Sequence, residues 1–221
     1  MTFLDRKEAG RVLAKRLQGA QSREGAWVLA LPRGGVPVAY EIAQALHLPL
    51  DVMLVRKLGV PGHEELAMGA IASGGVRVMN DDITRSLGIS QAVIDEIIAR
   101  EEHELLRREK LYRGDRPPLM LRNKPVILVD DGAATGANML AAIRAARRLG
   151  ASPITVALPV APFTTHEMLA GAADEMVTAV IGDPFYGVGA FYEDFSQTSD
   201  DEVRKLMRGP ALAIAEGKPQ P

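Results

Sequence analysis

Two adjacent carboxylates, Asp130 and Asp131, end the short apolar run Val126-Ile127-Leu128-Val129 and lead into the small-residue segment Gly132-Ala133-Ala134-Thr135-Gly136-Ala137-Asn138. The apolar run, bounded by Pro125 and the acids, fits a strand buried on both faces. The spacing of Met139, Ala142, Ile143, Ala146 and Leu149 then fits an amphipathic helix. The segment between them therefore joins a strand to a helix N-terminus, where unpaired backbone N–H groups and the helix dipole favour a bound phosphate. Gly132 and Gly136 let the backbone approach an anion, and Thr135 and Asn138 offer side-chain donors. The acids would repel a phosphate directly. They suit sugar hydroxyls or a hydrated Mg²⁺ ion instead. A ribose 5-phosphate unit with a metal-bound diphosphate would satisfy both halves of the motif.

Other phosphate motifs do not fit. A P-loop requires Lys after its second glycine, where this chain has Ala137, and a dinucleotide fingerprint requires Gly-x-Gly-x-x-Gly, whereas Gly132 and Gly136 are four apart. An ordinary strand-to-helix turn capped by Asp131 is the plainer alternative, but capping does not call for two acids, two glycines and a threonine together.

The segment resembles the phosphoribosyl diphosphate (PRPP) signature of type I phosphoribosyltransferases: an aliphatic strand, an acid pair, then a loop containing Thr-Gly. The resemblance implies that Asp130 and Asp131 bind the ribose 2′ and 3′ hydroxyls and hold Mg²⁺ through those hydroxyls or water, and that residues 133–138 wrap the 5′-phosphate. The chain departs from many members at Gly132 and Ala133, where bulkier aliphatic residues are usual, and at Asn138, where Ser or Thr is usual. It is most similar to bacterial phosphoribosyltransferase-like proteins that carry Leu-Pro-Arg-Gly-Gly and Asp-Asp-Gly-x-Ala-Thr-Gly.

The elements that must position these residues can be read from pattern. A capping box at Asp5 and Glu8 starts a first helix that ends near Gly19. Residues 27–31 form a strand that breaks at Pro32-Arg33-Gly34-Gly35 before a helix over 36–46. In the resembling family the loop after an early strand binds diphosphate, so Arg33, Gly34 and Gly35 are expected on the leaving group; a tight turn with a solvent-facing arginine is the alternative. Residues 50–55 read as the next buried strand, with Arg56 and Lys57 at its C-terminal end, either facing diphosphate or simply solvated. Residues 58–75 are rich in glycine and small side chains and are expected to form a flexible loop that closes over the site, with His63, Glu64 and Glu65 inside it.

Further along, 76–79 reads as a short strand and 90–111 as a helix whose Glu101, Glu102, His103 and Glu104 cannot all face one side. Strands at 154–160 and 175–181 flank a helix at 164–170, and Ser199 caps a last helix before a tail from Gly209. Alternating strands and helices predict an α/β fold, a doubly wound, mostly parallel sheet with flanking helices. Residues 1–181 would form the core and 182–221 a small C-terminal hood and tail. The hood holds Phe185, Tyr186, Phe191, Tyr192 and Phe195, half of the chain's ten aromatic residues. Phe185 and Tyr186 are expected to stack on a flat acceptor, with a satellite core or dimer contact as the alternative.

Composition narrows the classes. A formal net charge of −2 with dispersed Lys and Arg gives no case for nucleic acid, and the absence of cysteine excludes thiolate chemistry. No apolar run reaches membrane-spanning length and the N-terminus lacks a leader pattern, so a soluble, cytoplasmic protein is expected. The resemblance implies Mg²⁺-dependent transfer from PRPP to an unidentified acceptor, a nucleobase or another flat nucleophile, in a chain that, like many family members, forms a homodimer. A non-catalytic PRPP- or nucleotide-sensing regulator on the same fold is the alternative.

Overall fold

The computed structural model describes residues 1–17 and 25–208, and the side chains of all of these except Glu64 and Glu65. The expected end of the first helix near Gly19, the tail from Gly209 and any role of the Glu64 and Glu65 side chains lie outside the described residues.

Five strands, β1 (Trp27–Ala30), β2 (Leu50–Val52), β6 (Val126–Val129), β7 (Ile154–Pro162) and β8 (Glu175–Gly182), form a parallel sheet in the order β2-β1-β6-β7-β8. Alternation divides β1 between two cores. Val28 and Ala30 face α1 (Arg6–Leu17) and α2 (Gly35–Leu46), packing with Leu13 and Ile42. Leu29 and Leu31 face the other side, packing with Met139 and Ile143 of α5 (Ala137–Arg148) and Leu169 of α6 (Phe163–Ala170). All four β6 residues are buried. At about 1.5–3 kcal/mol per fully buried aliphatic side chain, that strand is anchored firmly enough to present polar residues at its end.

The strand order reverses between β1 and β6, because the chain moves to one side through β2 and to the other through β7 and β8. Open α/β sheets leave a crevice beyond the carboxyl ends of their strands at such a reversal. Here the loops after β1 and β6 are those containing Arg33-Gly34-Gly35 and Asp130-Asp131.

Two expectations are corrected. Residues 50–55 are not one strand: β2 ends at Val52, and Arg56 and Lys57 belong to β3 (Val55–Val60) in a second sheet. The break is fixed by buried Ser73, whose hydroxyl accepts from the Leu54 N–H at 3.0 Å while its own N–H donates to the Leu54 carbonyl at 2.9 Å. The loop expected over 58–75 is instead mostly strand, with β3, β4 (His63–Ala72) and β5 (Val76–Met79) pairing antiparallel. Its glycines serve that ribbon. Gly62, Gly74 and Gly75 take positive φ at the turns, and a Cβ on Gly69 would lie 2.6 Å from the Val78 carbonyl oxygen.

The ribbon leads into α3 (Asp81–Ser86), capped by Asn80, and then into α4 (Gln91–Arg113), capped by Ser90. The consecutive polar residues of α4 diverge: Glu101 bonds Arg56, Glu102 bonds Arg77, and Glu104 bonds Arg107 and Arg108, which hold its carboxyl down at about 2. The last helix, α7 (Asp200–Met207), is capped by the Ser199 hydroxyl as the sequence predicts.

At the end of α4, Arg113 forks onto the buried Asp51 carboxylate at 3.0 and 3.1 Å. Arg113→Met leaves Asp51 buried without its bidentate partner and should destabilise the fold by about 3–5 kcal/mol in urea denaturation.

Candidate active site

The 132–138 loop is held from β7 and α6. The Ala133 N–H donates to the Val160 carbonyl at 3.0 Å, and the Thr165 hydroxyl donates to the Ala134 carbonyl at 2.6 Å. Gly136, at φ 72°, precedes the first residue of α5; a Cβ there would lie 2.8 Å from Thr165 and Met168. Gly132 takes φ 152° and a Cβ would lie 2.5 Å from Val188, so the residues usual in the resembling family cannot be fitted at this position without moving the hood. Ala134, Thr135, Ala137 and Asn138 are exposed. With Lys57 and Asp130, the loop lines a concavity of about 360 Å³ at the N-terminus of α5.

The two acids are unequal. Asp130 accepts from the Asp131 N–H at 2.9 Å, and burial together with the Asp131 charge pushes its carboxyl well above the ordinary aspartate range. Asp131 pairs with Arg6, whose Nε donates to Oδ2 at 2.8 Å. Arg6 is itself fixed: its guanidinium donates to the Ser196 carbonyl at 2.7 Å and stacks 4.0 Å from the Phe195 ring centroid. The Tyr192 hydroxyl donates to the Asp131 backbone carbonyl at 2.6 Å, and burial followed by the Asp131 charge raises that phenol.

The β1 loop is packed against this pair. A Cβ on Gly34 would stand 2.0 Å from Asp131 Oδ2, and one on Gly35 would stand 2.7 Å from the Val129 carbonyl oxygen and 2.9 Å from the Asp130 Cα. The two glycines, expected from sequence on the leaving group, make room here for the acids. The peptide joining Pro32 to Arg33 is cis. Arg33 reaches away towards α7, 3.7 Å from Asp200. Asp200 also accepts from the Tyr112 hydroxyl at 2.6 Å, and burial with that bond pushes the Tyr112 phenol up to about 12.

A wider cleft of about 680 Å³ adjoins the first, lying between β3 and α4. Lys57 and Asn138 line both. Arg56 lines the wider one while bonded to Glu101, Nε to Oε2 at 2.9 Å.

The family model for the phosphoribosyl transferase domain matches residues 4–185 of the chain. The chain belongs to that family. A Mycobacterium tuberculosis H37Rv protein, Rv0571c, provisionally named a phosphoribosyl transferase, is 47% identical over 201 residues, covering 91% of this chain and 45% of its own length. The protein MT0597 of strain CDC 1551 matches identically. This chain thus spans about half the length of the curated relatives it matches. The crystal structure of TT1426 from Thermus thermophilus superimposes with a TM-score of 0.85 at 40% identity, over 94% of this chain and 98% of that one.

Within this phosphoribosyl transferase domain the structure brings Asp130, Asp131, Gly34, Gly35 and the 132–138 loop together, with Lys57 on the facing ribbon. It does not bring Phe185 or Tyr186 to either cleft: Phe185 stacks on Phe191 at 5.6 Å between centroids, and Tyr186 is 86% exposed. The residues that sequence reasoning missed are Arg6 and the partners that fix it. Tyr192 and Phe195 belong to the aromatic cluster noted in the sequence and lie beyond the family match, but nothing in the linear pattern joins them to a residue 125 positions before Asp131.

Gly34→Ala should cost about 1–3 kcal/mol through overpacking, read by denaturation, and should displace the Asp131 carboxylate in a crystal structure of the variant. A second expectation concerns pH. Burial and the Asp131 charge raise the Asp130 carboxyl above its value in the unfolded chain, so the stability this group contributes is present below the ordinary aspartate range and is lost as pH rises through the raised value. Asp130→Asn retains an acceptor for the Asp131 N–H without the titration. Its melting temperature should show a shallower fall over that range than wild type.

Proposed function

We propose that this domain transfers the 5-phosphoribosyl group of PRPP to a nucleophilic acceptor, releasing diphosphate. The observation that supports the reading is the packing of Gly34 and Gly35 directly against Asp131 and Asp130, which sets the β1 loop beside the acid pair, while Asp130 lines the concavity at the N-terminus of α5.

In this reading the backbone N–H groups opening α5, with Thr135 and Asn138, hold the 5′-phosphate. Asp130 and Asp131 take the two ribose hydroxyls, Asp131 being already fixed by its pairing with Arg6. Lys57, at the junction of the two clefts, with Arg56 beside it, offsets the charge that develops on the departing diphosphate. Arg33 reaches the same group only by leaving Asp200. The wider cleft leaves room for the acceptor on the far side of the anomeric carbon. The β-ribbon along one wall restricts water around an activated ribose.

The donor set fits a magnesium ion carried mainly by the substrate. Among the described residues no three carboxylates or histidines converge on a point, so Asp130 and Asp131 would hold the ion through ribose hydroxyls or water, with the diphosphate supplying direct ligands. When bound, the ion would add positive charge beside the leaving group.

Calorimetric titration of PRPP with and without Mg²⁺ tests the reading. Wild type should bind PRPP more tightly with Mg²⁺, and Asp131→Asn should bind at least about tenfold more weakly while remaining folded, the loss expected for one charge-assisted hydrogen bond. Failure of a folded wild type to bind PRPP would refute the proposal. Binding without diphosphate release across an acceptor panel would instead favour the sensing role.

A further inference from the structure

Arg6, the first residue of α1, is held on more sides than the neutralisation of one carboxylate requires. Its Nε donates to Asp131 Oδ2 at 2.8 Å, its Nη1 donates to the Ser196 carbonyl at 2.7 Å, and its guanidinium lies 4.0 Å from the Phe195 ring centroid. The side chain is 11% exposed and that of Asp131 is 15% exposed. Attraction alone would need only a compact ammonium. A planar guanidinium bonded at two edges and stacked on a ring has its N–H directions set as well, and the Nε–H bond then limits the rotation of the Asp131 carboxylate.

The supports of Arg6 come from its chain neighbours and from the hood. The Asp5 side chain accepts from the Glu8 N–H at 2.8 Å and Glu8 accepts from the Leu4 N–H at 2.5 Å, two bonds that fix the first turn of α1. Phe3, fully buried, bridges to Tyr192 as a single parallel rung, with the two rings 5.5 Å apart. Tyr192 stacks in turn on Phe195 at 5.0 Å between centroids, and its hydroxyl donates to the Asp131 carbonyl. The Asp194 carboxylate accepts from the Ser196 N–H at 2.9 Å, which tightens the turn whose carbonyl Arg6 uses. Tyr192, Phe195 and Ser196 all lie beyond the residues matched by the family model, and they converge on Asp131, directly or through Arg6.

Resting on the transfer reading above, we propose that Arg6 is a positioning residue for ribose recognition. It holds Asp131 Oδ2 from behind and directs Oδ1 to a ribose hydroxyl. The hood serves the reaction by aiming Arg6 rather than by walling the acceptor.

Calorimetric titration of full-chain variants tests the proposal, with PRPP and Mg²⁺ as one ligand and inorganic diphosphate and Mg²⁺, which lacks the ribose, as the other. Arg6→Met should weaken PRPP about tenfold, the loss expected when one charge-assisted hydrogen bond loses its geometry, and should leave diphosphate unchanged. Asp131→Asn removes the carboxylate that Arg6 aims, so adding Arg6→Met to it should weaken PRPP by no more than about twofold further, whereas independent effects would multiply. Phe195→Leu keeps an apolar side chain at a position 37% exposed and removes the ring face. It should weaken PRPP about two- to fivefold, the loss expected of one cation–π contact. A folded Arg6→Met variant that binds PRPP as tightly as wild type, or more tightly, overturns the proposal, as does an equal weakening of diphosphate or full additivity with Asp131→Asn. Should Arg6→Met fail to fold, unchanged PRPP binding by Phe195→Leu overturns it. Failure of a folded wild type to bind PRPP is a separate result that refutes the transfer reading and the proposal together.

Discussion

Two carboxylates side by side at the end of a buried strand repel each other and lose solvation together, and the architecture around them answers that problem. Asp130 is relieved by accepting the Asp131 N–H, and burial with the Asp131 charge shifts its carboxyl towards the neutral form. Asp131 is relieved by Arg6, brought from the first turn of α1. Arg6 can do this because the chain before it is stitched to the hood: the Phe3 N–H donates to the Phe191 carbonyl at 2.8 Å, and the Glu193 and Asp194 N–H groups donate back to Phe3 and Leu4. The hood thus braces the acids from behind, with Tyr192 and Phe195 used for packing, one hydrogen bond and a stacked cation.

The same constraint explains the glycines after β1. Adjacent parallel strands are about 4.8 Å apart, so loops leaving β1 and β6 at the strand-order reversal compete for one volume. With no side chain at Gly34 or Gly35, the β1 loop passes against the acids, and the crevice above them remains open. A flexible-glycine explanation based on positive φ does not apply there, because Gly34 has φ −60°.

The β3–β5 ribbon has a different physical origin from the parallel sheet. Its strands are short-range antiparallel partners joined by tight turns, and the ribbon is seated on α4 and α5. Small residues that look loop-like in sequence allow close strand approach, as at Gly69. The ribbon sets Arg56 and Lys57 across the cleft from Asn138 of the 132–138 loop, a placement reached by leaving the parallel sheet after β2.

Local pattern alone determined the parallel α/β class, the strand-loop-helix around Asp130 and Asp131, its counterpart around Arg33, the helix from Ser90 and the capped helix at Ser199. Each depends on periodicity and hydrogen-bonding chemistry within a few residues. Glycine did not reveal its own role: composition cannot separate a mobile loop from a close-packed ribbon, and residues 58–75 look like a loop in sequence for that reason. Aromatic clustering marked residues 185–195 but not what they pack against, since burial and ligand stacking draw on the same residues. Tertiary structure decided that Arg6 neutralises Asp131, that Gly34 and Gly35 pack on the acids, and that Asp51 gathers Arg113 and Arg116. Those outcomes depend on charge compensation and excluded volume between segments distant in sequence, and both are fixed only when the chain closes on itself.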